Sequence, residues 1–251
     1  MGLKGRVALV TGGSRGIGKG ISMALAREGA DIAIVYRRDE AAAKEAAKEI
    51  NSLSRKASIF QCDVTNYDNV KEVVNQAIKT FGKIDILVNN AGIASRGNSV
   101  FDTDVNELHR VIDTHVFGSF YFTKAVLPNM RQQPRGDIIF ISSVAAEFCG
   151  GYGGPYNMAK RAIEALAATL SKEELLNGIR VNVVRPGLTE TDMGSRLAKA
   201  TRGVQDIKEL YSSSPFGRVG QPSDIGNAVA FLVSEKGEYI TNAVIRVSGG
   251  S

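Results

Sequence analysis

The sequence predicts a doubly wound parallel α/β sheet of about seven strands with helices on both faces, and three observations carry that expectation. Short apolar runs alternate with helical stretches along the whole chain, the pattern of β-α units that feed a parallel sheet. The first run, Val7-Ala8-Leu9-Val10, is apolar on both faces, as a central strand covered by helices requires. It leads through the glycine-rich turn Thr11-Gly12-Gly13-Ser14-Arg15-Gly16-Ile17-Gly18 into an amphipathic segment, Ile21 to Glu28. A strand, a tight loop and a helix in that order let the helix N-terminus point its free N–H groups at a pyrophosphate.

The remaining elements follow in order. Asp31 to Tyr36 reads as a second strand, with Asp39 capping an alanine-rich helix from Glu40 to about Ser52. Ala57 to Gln61 is a third strand, and Asn66 to Thr80 a helix with Val70, Val73, Val74, Ala77 and Ile78 on one face. Ile84 to Val88 is a buried strand ending in Asn89-Asn90-Ala91-Gly92, small groups at the carboxyl end where open α/β sheets bind ligands. One long helix is expected from about Val105 to Met130, with Gly118 in its middle. Asp137 to Ile141 is the fifth strand, followed by Ser142-Ser143, a glycine-rich loop, and a helix from Pro155 to about Leu176. Ile179 to Val184 is a sixth strand. Arg185 to Ser214 reads as irregular or weakly helical, with a substrate lid at about 194–214. Pro222 to Ser234 is a final helix and Ala243 to Val247 a final strand.

The chain has 251 residues, 43% of them apolar, enough for one substantial core, so a single domain spanning 1–251 is expected. No apolar run approaches the roughly 20 residues of a membrane span, and Met1 to Arg6 holds no signal-peptide core. The two cysteines, Cys62 and Cys149, form no disulfide framework or metal motif. These features point to a cytoplasmic protein without a metal site. The net charge of +5 is spread among 26 acidic residues without a long basic run, which argues against nucleic acid as a partner.

Tyr156 and Lys160 are four residues apart on an expected helix, so both project from one face. A phenol titrates near 10, too high for efficient proton exchange at neutral pH, and an adjacent ammonium favours the phenolate. Ser143 closes the preceding strand.

Taken together, Thr11-Gly12-x-x-x-Gly16-x-Gly18, Asn89-Asn90-Ala91-Gly92, Ser143, Tyr156-x-x-x-Lys160 and Pro186-Gly187 resemble the short-chain dehydrogenase/reductase family in order and spacing over essentially the whole chain. The compact branch that includes 3-oxoacyl-carrier-protein reductases is the most similar. The resemblance implies a Rossmann-like fold, a homotetramer, and an oxidoreductase in which hydride moves at a nicotinamide while Tyr156 exchanges a proton with the substrate oxygen. It implies that Lys160 holds the nicotinamide ribose and tunes Tyr156, and that Ser143 hydrogen-bonds the carbonyl. For the cofactor it implies the loop residues Gly12, Ser14, Arg15, Gly16, Ile17 and Gly18, the adenine contacts Asp63 and Val64, and Asn90, Ala91 and Gly92 beneath it. Pro186, Gly187, Thr189 and Thr191 would hold the carboxamide and pyrophosphate.

NAD enzymes place an acid at the end of the second strand. Here that end reads Tyr36-Arg37-Arg38 with Arg15 nearby, so NADP(H) is the expected cofactor, with Arg37 on its 2′-phosphate.

The chain departs from the family in three places. His115 stands where the family usually has an Asn in the long helix, either as a bystander or as its replacement in a proton relay. If it relays, turnover should fall as it protonates, near its model value of about 6.5 or lower in a buried cationic site. Pro134 and Asn177 stand where the carrier-protein reductases tend to have entrance arginines, with Arg135 a partial substitute. A small free ketone or secondary alcohol is therefore preferred as substrate over a carrier-bound 3-oxoacyl chain. A dinucleotide-binding sensor that no longer catalyses is the third reading.

Overall fold

The computed structural model describes residues 2–250. Seven strands form one sheet: β1 (Val7–Thr11), β2 (Asp31–Tyr36), β3 (Ala57–Gln61), β4 (Ile86–Asn89), β5 (Gly136–Ile141), β6 (Ile179–Pro186) and β7 (Val244–Val247). Their order is β3-β2-β1-β4-β5-β6-β7, and every pairing is parallel. The chain winds outward from β1 to β3, returns to β4 and winds the other way. Loops leaving β1 and β4 therefore diverge, and the crevice between them is the topological switch point at which such sheets bind ligands.

Alternation along β1 shows how both faces are filled. Ala8 and Val10 enter one core with Ile21, Leu25, Ile225 and Val229. Leu9 enters the other, with Val70, Val74, Phe122, Val126 and Ile163. The first face is covered by α1 (Gly16–Arg27), α2 (Glu40–Ser52) and α9 (Pro222–Val233), the second by α3 (Tyr67–Phe81), α5 (Gly118–Met130) and α7 (Gly154–Glu173). Close packing of α1 on α9 depends on absent side chains: a Cβ on Gly20 would lie 2.4 Å from the Pro222 carbonyl oxygen, and one on Gly226 2.5 Å from that of Gly20.

Caps end the elements largely as the residue types dictate. Asp39 accepts from the Ala42 N–H at the start of α2, and Asn66 from the Asn69 N–H at the start of α3. The fourth strand begins later than expected, at Ile86. Just before it, the Asp85 carboxylate takes the Val7 N–H at 2.7 Å.

Two segments differ more. The expected single helix over 105–130 is α4 (Val105–Ile112) and α5 joined by a π-helical segment, Asp113–Phe117, in which the Gly118 N–H reaches back to the Asp113 carbonyl. The segment expected to be irregular or weakly helical contains a regular helix of 11 residues, α8 (Asp192–Arg202), whose first turn is capped by the Thr191 hydroxyl accepting from the Gly194 N–H at 3.0 Å. Ala198, Ile207, Leu210 and Val219 give this region its own apolar cluster. Burial there, more than helix propensity, orders the stretch. A short α6 (Ala145–Phe148) follows β5.

Charge is concentrated at the amino-terminal edge of the sheet. Asp137, 1% exposed, sits within 2.8 Å of Arg6, 3.3 Å of Arg135 and 2.5 Å of Arg180. Arg135 also donates to the Val233 and Ser234 carbonyls. Asp137→Ala strands the buried Arg180 guanidinium, and a loss of about 3–5 kcal/mol is expected, to be read as a lower urea midpoint; an unchanged midpoint would show that the cluster is incidental.

Candidate active site

At the carboxyl edge, Thr11 joins the two strands that bound the crevice. Its hydroxyl donates to the Val88 carbonyl and accepts from the N–H groups of Asn90 and Ala91, both at 2.9 Å. The Asn90 amide returns to the Thr11 and Gly12 carbonyls. The glycine loop is thereby pinned over the end of β4. Gly12 and Gly16 have φ of 63° and 52°, in the left-handed region that glycine enters without penalty. Helix α1 starts with no side-chain cap and no acid in its first turn, so its free N–H groups and dipole remain available to an anion.

Beside this loop, a cleft of about 390 Å³ is lined by Arg37, Arg38, Gln61, Asp63 and Asn69. Arg37 pairs with Asp63 at 2.8 Å. Asp63 is further held by the Thr65 N–H and hydroxyl; burial raises its carboxyl, but these bonds and Arg37 together bring it below the ordinary value. Val64 packs on Gly118, where a Cβ would lie 3.0 Å from a Val64 methyl. On the other side of the crevice the Thr189 hydroxyl donates to the Gly187 carbonyl, and the Thr191 methyl lies 3.3 Å from where a Gly16 Cβ would stand. Ser14, Arg15, Ile17 and Gly18 complete the loop, and Pro186 ends β6.

Ser143, Tyr156 and Lys160 meet at the same edge. The Ser143 hydroxyl faces the Tyr156 phenol closely enough to favour its ionised form, and the Lys160 ammonium lies 5.5 Å from the Tyr156 ring centroid while donating to the Ile141 carbonyl at 2.7 Å. Their electrostatics differ from the expectation that Lys160 brings the phenol down. Burial pushes Tyr156 up, with Ser143 opposing. Burial also pulls Lys160 down to about 7, with Glu164 opposing. Both groups lose solvation, and that loss outweighs the opposing effects of Ser143 on the phenol and of Glu164 on the ammonium.

His115 lies in the π segment, 2% exposed, with its ring edge-on to Tyr156 at 5.4 Å. Nε2 is 2.8 Å from the Ile93 carbonyl oxygen and 3.0 Å from the Ile93 N–H nitrogen. One nitrogen serves one of these at a time, and the tautomer selects which. Nδ1 is buried without a hydrogen-bond partner. The ring needs Gly92, since a Cβ there would fall 2.4 Å from Cε1. Burial first, and then the Lys160 charge, push His115 down to about 3, so it is neutral through the working range of pH. That is the lower alternative expected for a buried, cationic site: protonation is displaced to where the fold itself is challenged.

Pro134, Arg135 and Asn177 lie at the opposite, amino-terminal edge of this chain's sheet. Asn177 bonds Glu174, which also holds Arg131. Arg135 is committed to Asp137 and two carbonyls, so it is not a free substitute for an entrance arginine. Thr11, Glu164 and Arg185 were not among the expected site residues. For Thr11 the signal was its place between a buried strand and the glycine turn.

The His115 shift makes a signed prediction. Its proton binds the unfolded chain more readily, so stability is intact above about 6.5 and is lost as pH falls toward about 3. His115→Asn removes that loss, and acid unfolding followed by circular dichroism should move to lower pH. An acid midpoint equal to the parent's would show that the ring is not buried neutral.

Comparison with known proteins agrees with the fold. Residues 12–251 match the family model described as enoyl-(acyl carrier protein) reductase. The 3-oxoacyl-(acyl-carrier-protein) reductase of Staphylococcus epidermidis is 37% identical over 248 residues, 97% of each chain. A crystal structure of NAD+-bound xylitol dehydrogenase superposes with a TM-score of 0.92 at 31% identity over 100% of both chains. A short chain dehydrogenase from Burkholderia cenocepacia J2315 in complex with NADP gives 0.90 at 31%, covering 99% of this chain and 98% of that one. The parallel sheet, the glycine loop at its switch point and the full-length matches place this chain in the short-chain dehydrogenase/reductase family of nicotinamide-dependent oxidoreductases.

Proposed function

We propose that the protein is an NADP(H)-dependent reductase of a small ketone, or the dehydrogenase of the corresponding secondary alcohol. The observation that carries this reading is the meeting of Ser143, Tyr156 and Lys160 beside an uncapped, acid-free helix N-terminus. Family membership supplies hydride transfer at a nicotinamide as the chemistry; the residues of this chain supply binding and the proton.

The glycine loop and the first turn of α1 would receive the pyrophosphate. Arg37, Arg38 and Arg15 support a 2′-phosphate: Arg15 and Arg38 are exposed with no ion pair among the described residues, while Asp39, the nearby acid, is occupied as the α2 cap. Asp63, Val64, Asn90, Ala91, Gly92, Pro186, Gly187, Thr189 and Thr191 would line the rest. Ser143 orients the substrate oxygen, Tyr156 exchanges its proton, and Lys160 holds the ribose and the charge around the phenol. Neutral His115 fixes the Ile93 backbone and offers Nδ1 to a relay toward Lys160.

A small apolar ketone fits the rim. Val100, against the start of α7, and Tyr152, four residues before Tyr156, are 83% and 70% exposed. The lid at about 194–214 adds Leu197, 53% exposed, over a single domain. Exposed Phe117 and Phe120 on one side and Phe231, Val244 and Ile245 on the other support two interfaces, as a homotetramer needs; light scattering checks it.

The decisive assay is a panel of free ketones, sugars and 3-oxoacyl thioesters with NADPH and NADH. Oxidation of NADPH by a free ketone, faster than with NADH, is expected. Superior efficiency with NADH, or a strong preference for carrier-bound thioesters, would reverse the cofactor or substrate assignment. Tyr156→Phe should lose about 10²-fold or more in turnover while binding NADPH nearly as the parent does. Substantial retained turnover would show that the proton comes from elsewhere.

A further inference from the structure

One buried carboxylate at this edge has no part in the proposed chemistry. Glu164 lies one helical turn beyond Lys160 on α7 and is 9% exposed. Its Oε1 accepts from the Ser142 hydroxyl at 2.6 Å and from Arg185 Nε at 2.7 Å; its Oε2 accepts from Arg185 Nη2 at 2.7 Å, with Arg161 3.8 Å away. Arg185, at the end of β6, continues to Glu147 of α6 at 3.2 Å. These contacts bracket the lysine: Lys160 donates to the Ile141 carbonyl, Glu164 takes the hydroxyl of the next residue, and Ser143 follows.

We propose that Glu164 is a positioning residue for Lys160: held by Ser142 and by the Arg185 fork, it fixes the turn of α7 that carries the lysine against the end of β5 and sets the lysine's charge, with Arg185 as the counterweight. A bidentate guanidinium pair holds a carboxylate in one plane, and residues four apart on a helix lie close enough for their charges to interact. The groups facing Lys160 are Tyr156 and Glu164 from its own helix, His115 from the π segment, and the Ile141 carbonyl from β5. Of these, Glu164 is the one anion. It favours the ammonium, in opposition to the burial that draws Lys160 down.

The inference rests on the reading that Lys160 serves Tyr156, and its test is independent of turnover. The probe is the ¹³Cε signal of Lys160 in the purified full-length protein, assigned by its disappearance in Lys160→Met and titrated without any ligand. Removing the carboxylate in Glu164→Gln should lower the titration midpoint by about half a pH unit or more; removing the counter-ion in Arg185→Gln should raise it by a smaller amount. Opposite shifts are the signature, because a packing role alone moves neither midpoint in this signed way. If Glu164→Gln does not fold, the neutral pair Glu164→Gln/Arg185→Gln carries the test: Glu164 acts on Lys160 directly and Arg185 only through it, so the loss of the anion outweighs the loss of its counter-ion and the midpoint lies below the parent's. Midpoints unchanged, or displaced in the same direction by both single substitutions, would overturn the assignment. An active Tyr156→Phe would instead overturn the functional reading while leaving the hold of Glu164 on Lys160 intact.

Discussion

The Thr11 hydroxyl is the contact on which the site depends. It takes two N–H groups from the turn after β4 and gives one hydrogen bond to Val88, so the ends of the two strands that diverge at the switch point are tied by one side chain. Asn90 closes the tie from the other strand. Without it, the glycine loop and the Asn90-Ala91-Gly92 turn would each be a free surface loop. With it, the glycine loop and the first turn of α1 are held at a set height above the sheet, and preorganisation of this kind keeps a ligand from having to order its own site. Gly92 then leaves room for His115, and His115 lies edge-on to Tyr156, so the tie extends through packing to the proposed proton donor.

The two edges of the sheet handle charge differently. At the amino edge, Asp137 is surrounded by Arg6, Arg135 and Arg180, and the guanidinium groups also reach the carbonyls of Val233, Leu232 and Ile240. That cluster anchors the C-terminal segment to β5 and β6. At the carboxyl edge, Lys160 and His115 are buried with few opposite charges, and desolvation displaces both from their ordinary values. A group so displaced is held near the point at which it can change protonation state, or, as with His115, is kept neutral beside an ammonium. The same burial that would be a liability in a structural position is what would suit these groups to the proposed chemistry.

The π segment belongs to this economy of space. One inserted residue in an otherwise continuous helix turns His115 inward, toward Ile93 and Tyr156, and π-helical insertions of this kind recur at functional sites. Gly118, directly after it, allows α5 to pass against Val64. A regular helix through 105–130 would carry its side chains around the axis by about 100° per residue without that adjustment.

The sequence by itself determined the alternation of strands and helices, because apolar runs with turn residues between them can be buried in a parallel sheet and in little else. It also determined the glycine turn and the Tyr156–Lys160 pair, since positive φ and helical i,i+4 spacing are local properties. It showed that Asp39 caps a helix, leaving Arg15, Arg37 and Arg38 as the charges near the end of β2. Tertiary structure alone decided what depends on burial and on distant partners. The π segment, the ordering of α8 by its own apolar cluster and the commitment of Arg135 to Asp137 are invisible in any local window. So are the opposing displacements of Tyr156 and Lys160, which come from their shared loss of solvent, and the hold of Glu164 on Ser142 and Arg185, residues 22 and 21 positions away in the chain. Local pattern names the groups; the dielectric around each group, and so its charge, exists only once the chain has closed over it.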